Sequence, residues 1–221
     1  ITKDADVAES QRREVALKVT KPGMDTRAII ARFEAERQTL ALMNHPGIAR
    51  VLDAGATDAG HPYFVMERVL GDRLTRHCEE HRVGTRERLE LMIQVCRAVE
   101  HAHQKGIIHR DLKPSNILVT LEDGRAVPKV IDFGIAKAIQ TNGAASDLTA
   151  QEGGFVGTPD YMSPEQLSPQ HCDVDTRTDL YSLGVILFEL LTGHPPSRTG
   201  SPDGGWPVDR RVVRPSTALS A

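Results

Sequence analysis

The sequence is poor in aromatic residues and in cysteine, and each shortage limits the protein's class. Aromatic residues make up only 4% of the 221 residues, so a buried core must come mainly from Leu, Ile, Val, Met and Ala. The three cysteines (Cys78, Cys96 and Cys172) are odd in number, scattered, and contain no Cys-x-x-Cys pair. This pattern argues against a disulfide framework and fits a reducing compartment.

Strong net charge and long apolar runs are also lacking. The formal net charge is -3, so no basic field is present and we expect no nucleic-acid partner. The longest apolar run, Leu183 to Leu191, is broken by Gly184 and Glu189 and predicts no membrane segment in this chain. Residues 1 to 6 carry three charges and show no signal peptide. We therefore expect a cytoplasmic chain of one large or two small domains.

Hydrophobic periodicity divides the chain near Gly71. Before this point the pattern predicts a strand at Glu14–Val19, an amphipathic helix from Asp25 to about Asn44, and a hairpin of Ile48–Leu52 with Tyr63–Met66. After it, an apolar stripe predicts a long helix from Leu89 to His103, with Leu89, Met92, Ile93, Cys96 and Val99 on one face. A second apolar helix is predicted at Thr178–Leu191, and residues 138–157 read as a long loop.

Three short motifs carry the chemistry. The string His109 to Asn116 places a carboxylate, an ammonium group and an amide in one segment. Asp132-Phe133-Gly134 follows the apolar strand Val130-Ile131, and Val15-Ala16-Leu17-Lys18 puts one lysine on an upstream strand. A lone strand lysine is usually a solvated residue, and an isolated Asp-Phe-Gly is more often a turn. The interpretation therefore depends on the whole set in this order.

The set, with Ser163-Pro164-Glu165 behind it, resembles the eukaryotic-type protein kinase family, and most closely its bacterial serine/threonine members. The resemblance runs from about Val7 to Gly193. It implies an α+β, bilobal protein-kinase-like fold. Residues 1–69 would form a partial, β-rich N-lobe and the hinge, and residues 70–221 a partial, mainly helical C-lobe with the catalytic and activation loops.

The resemblance implies ATP-dependent transfer of the γ-phosphate to Ser/Thr hydroxyls of proteins, with ATP and Mg²⁺ (or Mn²⁺) as cofactors. Asp111 would accept or orient the proton of the attacking hydroxyl, and Lys113 would face the transferred phosphate. Asn116 and Asp132 would hold the metal ions, because magnesium prefers hard oxygen ligands. Asp179, at the start of the apolar helix, would anchor the backbone of the catalytic loop.

The nucleotide site is assigned by the same resemblance. Lys18 would contact the α- and β-phosphates and be aligned by a helix glutamate, for which Glu36 fits the family spacing better than Glu34. The adenine ring would lie between the side chains of Ala16 and Leu118, beside Met66 as the gatekeeper. The hinge backbones of Glu67 and Val69 would hydrogen-bond the edge of the ring.

Substrate class and regulation follow from further details. Lys113 and Gly157-Thr158-Pro159 resemble serine/threonine rather than tyrosine kinases. Arg110 would pair with a phosphate on the long loop, whose candidate sites are Ser146 and Thr149. The hydroxyl of Thr158 is expected to bond Asp111 and Lys113. Protein substrates, and self-association for autophosphorylation, are the expected partners.

The sequence also departs from the family pattern. The family's Gly-rich phosphate loop precedes the lysine strand, whereas the first glycine here is Gly23, after that strand. The Pro-rich segment after Gly193 matches none of the family's later helices. By the resemblance, one of those helices would carry an arginine that pairs with a buried Glu165. We expect a fragment that is truncated at both ends. Its parent protein could carry a membrane anchor beside a cytoplasmic kinase domain. The alternative is a pseudokinase or binding module without turnover. A zinc site is not expected at His101, His103 and His109. The first two point to different faces of a helix, and His109 is expected to be a packed residue of the catalytic loop.

Overall fold

The computed structural model describes residues 14–19, 43–58, 61–133, 159–167 and 175–196. Within these ranges short 3-10 turns lie at Pro114–Asn116 and Pro159–Tyr161. The strands are β1 Val15–Val19, β2 Val51–Ala56, β3 Pro62–Glu67, β4 Asp72–Arg73, β5 Ile117–Glu122 and β6 Arg125–Val130. The helices are α1 Leu74–Glu80, α2 Thr85–Gln104, α3 Pro164–Leu167 and α4 Thr176–Thr192. The predicted α+β class is confirmed.

The first sheet has the antiparallel order β1-β3-β2. Ala16 pairs with Met66 and Lys18 with Phe64, so these residues lie side by side across the sheet. Successive side chains of a strand point to opposite faces. Ala16 and Lys18 are accordingly half-buried, whereas Leu17 between them is 62% exposed. The strand alternation therefore turns Lys18 toward the inner face of the sheet.

The predicted hairpin exists, but its first strand is shifted along the chain. The strand begins at Val51 rather than at Ile48. Ile48 is buried and forms an isolated parallel bridge with Val130, supported by a 2.9 Å bond from the N–H of Ala49 to the carbonyl of Val130. The apolar run at Ile48 thus marks a connection to β6 rather than a hairpin strand.

The second sheet has the order β4-β5-β6 and follows the first along the chain. Strands β5 and β6 form a hairpin whose turn residues, Asp123 and Gly124, have φ of 49° and 75°. Positive φ at both central residues is typical of the Asp-Gly hairpin turn. This hairpin, together with β4 and α1, was not predicted from periodicity.

The two predicted C-terminal-half helices are confirmed, but of the apolar stripe predicted for α2 only Met92 and Val99 are buried. Leu89, Ile93 and Cys96 are exposed. The buried residues of this helix are Leu91, Met92, Val95, Ala98, Val99 and Ala102. Small alanines allow close approach of a neighbour, so they mark the packed face here. Helix α4 begins after Asp175, whose carboxylate accepts the N–H of Arg177, and ends at Gly193 with φ of 84°.

The buried carboxylate of Asp179 on α4 holds the segment 107–113, which follows α2, by hydrogen bonds. Its Oδ2 accepts the backbone N–H of His109 at 2.8 Å and the Nε2–H of His103 at 2.7 Å. Its Oδ1 accepts the backbone N–H of Arg110 at 2.8 Å. The prediction that Asp179 anchors this loop is confirmed by the two bonds from the backbone N–H groups of His109 and Arg110, while the third contact binds His103 on α2.

Several expectations fall outside the described residues. They include most of the helix predicted from Asp25 and the long loop at 138–157. In the described ranges no helix is long and apolar enough to cross a membrane.

Gly71 is a position where we expect backbone packing to forbid a side chain. A Cβ at Gly71 would lie 2.3 Å from the carbonyl oxygen of Val119. Gly71→Ala should therefore lower the free energy of unfolding by about 1–3 kcal/mol, measured by urea denaturation. Gly184→Ala is the matched control. A Cβ there meets nothing within 4 Å, so alanine inside α4 should stabilise by up to about 1 kcal/mol. Equal effects of both changes would contradict the close approach.

Asp179→Asn should destabilise the protein, because an amide nitrogen would then face an N–H donor. We expect the free energy of unfolding to fall by at least about 2 kcal/mol. Asp175→Asn on the same helix is the control and should change little, since Asn caps a helix as well as Asp. Thermal denaturation of both variants checks this, and comparable melting temperatures would refute it.

Candidate active site

His109 joins the catalytic-loop segment to the residues that follow β6. Its Nε2–H donates to the carbonyl of Ile131 at 2.9 Å, and its Nδ1 accepts the N–H of Asp111 at 3.3 Å. Its ring lies 4.7 Å from that of Phe133, between centroids. Burial lowers the pKa of this imidazole, and a donor on one nitrogen with an acceptor on the other is the pattern of a neutral ring. The predicted packing role of His109 is confirmed.

The side chains of Lys113 and Asn116 both donate hydrogen bonds to the carboxylate of Asp111. The Nζ of Lys113 donates to Oδ1 and Oδ2 of Asp111 at 3.0 and 2.8 Å. The Nδ2 of Asn116 donates to the Oδ2 of Asp111 at 3.2 Å and to its backbone carbonyl at 2.8 Å. The Asn116 amide is thus oriented by its nitrogen, which assigns its carbonyl oxygen as the atom that could bind a cation.

An ion pair between Lys18 on β1 and Asp132, which follows β6, connects the two sheets. The Nζ of Lys18 lies 2.9 Å from the Oδ2 of Asp132, and the two side chains are 41% and 24% exposed. Asp132 itself has φ of 65°, a left-handed conformation that is uncommon outside glycine. The contact joins residues 114 positions apart and leaves the carboxylate of Asp132 partly exposed to solvent.

Asn116 and Asp132, the residues proposed to bind metal ions, lie on segments that are hydrogen-bonded to each other. The N–H of Ile131, next to Asp132, donates to the carbonyl of Asn116 at 2.9 Å. One carboxylate and one amide oxygen form a hard donor set, which fits a divalent cation such as Mg²⁺. The side chains of Asp132 and Asn116 could hold the ion. The ammonium group of Lys18 lies beside Asp132, where it could neutralise the negative charge of a phosphate.

The predicted adenine-site residues lie on the strands and the connection around the predicted hinge. Met66 is buried on β3 opposite Ala16, and Leu118 is half-buried on β5. Glu67 is fixed by its neighbours: its N–H donates to the carbonyl of Arg50 at 2.8 Å, and its Oε1 accepts Lys129 at 2.8 Å. Val69 lies half-buried between β3 and β4.

The predicted regulatory residue Arg110 also has a left-handed backbone, with φ of 67°. Its carbonyl accepts the Nε2–H of Gln166 at 2.6 Å. Among the described residues, its Nε is buried and lacks a hydrogen-bond partner. The other predicted site residues lie outside the described ranges: Glu36, Ser146, Thr149 and Thr158.

Sequence reasoning missed a polar cluster beneath the catalytic loop. Glu165 was expected as a buried ion-pair member, but it is only half-buried and accepts the hydroxyl of Thr178 at 2.8 Å. Burial raises the pKa of this carboxyl, while hydrogen bonds from the backbone and from Thr178 outweigh that effect and hold it below its ordinary value. Tyr161 donates to Glu189 at 2.6 Å, and burial with this bond raises the pKa of its hydroxyl. No sequence motif signals these pairs, because they join residues on different elements.

Comparison with known proteins agrees with this geometry. The family model of the protein kinase domain matches residues 5–209. The serine/threonine-protein kinase PknB of Mycobacterium tuberculosis is 42% identical over 195 residues, which cover 86% of this chain and 30% of that protein. PknB of Mycolicibacterium smegmatis is 39% identical with the same coverage. The chain thus spans about 30% of the length of the curated relatives it matches.

Solved structures are similar as well. The kinase domain of PknI from Mycobacterium tuberculosis superimposes with a TM-score of 0.61 at 30% identity, covering 83% of this chain and 65% of that one. Rad53, in a structure with AMP-PNP, gives a TM-score of 0.63 at 31% identity, covering 86% of this chain and 44% of that one. The family is shown by these matches together: this chain belongs to the protein kinase domain family, as a catalytic domain of the bacterial serine/threonine type.

Proposed function

We propose that this chain catalyses transfer of the γ-phosphate of ATP to Ser/Thr hydroxyls of proteins, with Mg²⁺ as the preferred ion. Kinases of this family use ATP and a divalent metal ion in general. The observation that carries the proposal is the convergence of Lys113 and Asn116 on Asp111, linked through Ile131 to the Lys18–Asp132 pair.

Asp111 is proposed to accept or orient the proton of the attacking hydroxyl. Its carboxylate is held by two donors, so its free lone pair has one orientation rather than many. Fixing a base in this way lowers the entropic cost of the transfer step. Lys113, already 2.8 Å from Asp111, would place its positive charge beside the transferred phosphate.

Lys18 and Asp132 are proposed to divide the nucleotide between them. When bound, ATP supplies the phosphoryl group, and the metal ion neutralises its charge. Asp132 and Asn116 would hold that ion, and Lys18 would turn from Asp132 to the α- and β-phosphates. The half-exposed state of Lys18 supports this exchange, since little desolvation has to be reversed. Glu36 is proposed as its aligning partner.

The adenine ring is proposed to lie between Ala16 and Leu118, beside Met66, with hydrogen bonds to the backbones of Glu67 and Val69. The adjacency of Ala16 and Met66 in the sheet supports this position. The fixed Glu67 side chain supports it too, because two anchors hold the hinge strand still. A division into residues 1–69 and 70–221 is proposed on the same ground, since β3 and β4 belong to different sheets.

Arg110 is proposed to receive a phosphate carried by Ser146 or Thr149, with Thr158 reserved for contacts to Asp111 and Lys113. The buried Nε of Arg110, without a hydrogen-bond partner in the described part of the chain, supports an anionic partner. Autophosphorylation through self-association, and action in the cytoplasm, belong to the same proposal.

The division of roles predicts different defects for two isosteric changes. Asp111→Asn should lower kcat on the order of 10²-fold or more while nucleotide binding persists, because its role is in the transfer step. Asp132→Asn should remove the Mg²⁺-dependent part of ATP affinity. Asp123→Asn, in the exposed turn between β5 and β6, is the control and should change neither.

Radiolabel transfer and calorimetric ATP titration with and without Mg²⁺ measure these effects. Equal loss of ATP affinity in both site variants would contradict the assigned roles. Mg·ATP binding without any transfer by the unmodified chain would favour the alternative, a binding module without turnover.

Phosphorylation at the long loop predicts a dependence on Arg110. Mass spectrometry of protein incubated with Mg·ATP should find phosphate at Thr149 or Ser146. Arg110→Gln should then lower the activity of the phosphorylated form more than that of the unphosphorylated form, because only the former offers a charge to pair. Phosphate found only outside residues 135–157 would overturn this prediction.

A further inference from the structure

One acid and two histidines form a cluster that the proposed function does not use. Asp72 lies on β4, His77 on α1, and His81 directly after α1. One ligand atom from each lies within 4.8 Å of the others. The rings of His77 and His81 are 4.6 Å apart between centroids. We propose that Asp72, His77 and His81 bind a divalent transition-metal ion, with Zn²⁺ as the best-fitting species.

The residue types and spacing favour such an ion. Histidines four positions apart lie on the same side of a helix, one turn from each other. Two imidazoles with one carboxylate form a donor set suited to Zn²⁺, whereas Mg²⁺ and Ca²⁺ prefer oxygen ligands alone. Three protein ligands leave a fourth position of the tetrahedron for water or another small ligand.

The backbone already holds two of the three ligands in place. Asp72 is paired with Val119 across the β4–β5 ladder, and the close approach of Gly71 to Val119 fixes the preceding residue. His77 is only 7% exposed, on a helix whose residues Leu74 and Cys78 are fully buried. Ordering of the ligands therefore costs little when the metal binds, because folding has already ordered them.

The ionic surroundings are compatible with the site. Burial, and secondly the neighbouring His81, lower the pKa of His77, while Asp72 acts in the opposite direction. Burial thus disfavours the charged imidazolium form of His77, and the neutral imidazole is the form that binds metal. Arg76 lies 4.0 Å from Asp72 but makes its short contact, 2.7 Å, to Glu80. The carboxylate of Asp72 can therefore turn to a metal without breaking a close ion pair.

A small closure of the cluster is required. Ligand atoms around a tetrahedral zinc are about 3.4 Å apart for bonds of about 2.0–2.1 Å. The present spread of up to 4.8 Å can close by rotation of His81, the exposed member of the three. The exposed ring also gives an ion access from solvent.

The test is a zinc titration of the tag-free chain in excess Mg²⁺ and without nucleotide. Oxygen-only sites are then occupied, and the outcome does not depend on phosphotransfer. One Zn²⁺ should bind per chain and raise the melting temperature, since it binds the folded state. Asp72→Asn and His81→Gln should each lower the affinity at least about 10-fold, because loss of a direct ligand costs no less than loss of its supporting partner.

A matched control separates this cluster from the other histidine pair. His45 and His101 have ring centroids 5.2 Å apart, so His101→Gln removes a rival site and should leave zinc affinity unchanged. Asp72 and His81 are partly or fully exposed, so their variants should fold, which circular dichroism checks. Unchanged affinity in both variants would overturn the proposal. So would anomalous diffraction that places zinc away from His77.

Discussion

The arrangement of the site depends on one buried carboxylate that is hydrogen-bonded on both oxygens. Asp179 has no exposed surface, and removing an unpaired charge from water to that depth would cost several kcal/mol. Two backbone N–H groups and an imidazole N–H offset this cost. Because His109 and Arg110 supply the backbone donors, the same bonds that make Asp179 tolerable also fix the start of the catalytic loop. Stability of the α4 helix and position of Asp111 are therefore linked through one side chain.

The Lys18–Asp132 pair has the opposite physical character. Both groups are partly exposed, so solvent screens their attraction and the pair contributes at most about 1 kcal/mol. A weak pair is suited to a nucleotide site, because phosphates and a metal ion can replace each partner at low cost. A buried pair in this place would compete with ATP. The exposure of the contact thus matters more to the proposed function than its 2.9 Å length.

The motifs of the candidate site could be recognised in the sequence, whereas the packing around them could not be predicted. Motifs such as His109 to Asn116 are short and local, so their residue types and order can be recognised without knowing the fold. Helix α2 shows the limit: Leu89, Ile93 and Cys96 are apolar but exposed, while the buried face combines larger apolar residues with two alanines. Periodicity cannot choose between two apolar faces, because the choice depends on which neighbour packs there.

Contacts between side chains of different elements were likewise beyond sequence reasoning. Asp72, His77 and His81 lie close in sequence, yet their convergence requires β4 to pair with β5 and α1 to turn back beside it. Tyr161 and Glu189 are 28 positions apart and meet only because α4 passes the 3-10 turn that contains Tyr161. Such pairs have no motif, since either residue alone is an ordinary surface type.

Two residues of the site have left-handed backbones without being glycine, and this shows what the surrounding hydrogen bonds achieve. Arg110 and Asp132 have φ of 67° and 65°, conformations that cost of order 1 kcal/mol or more each for such residues. At Arg110 the peptide groups on both sides are held, the N–H by Asp179 and the carbonyl by Gln166. Asp132 follows Ile131, whose N–H and carbonyl are bound by Asn116 and His109. The two strained positions are therefore stabilised from α4, α3 and the catalytic loop together, which explains why residues so far apart in sequence specify one geometry at the proposed phosphotransfer site.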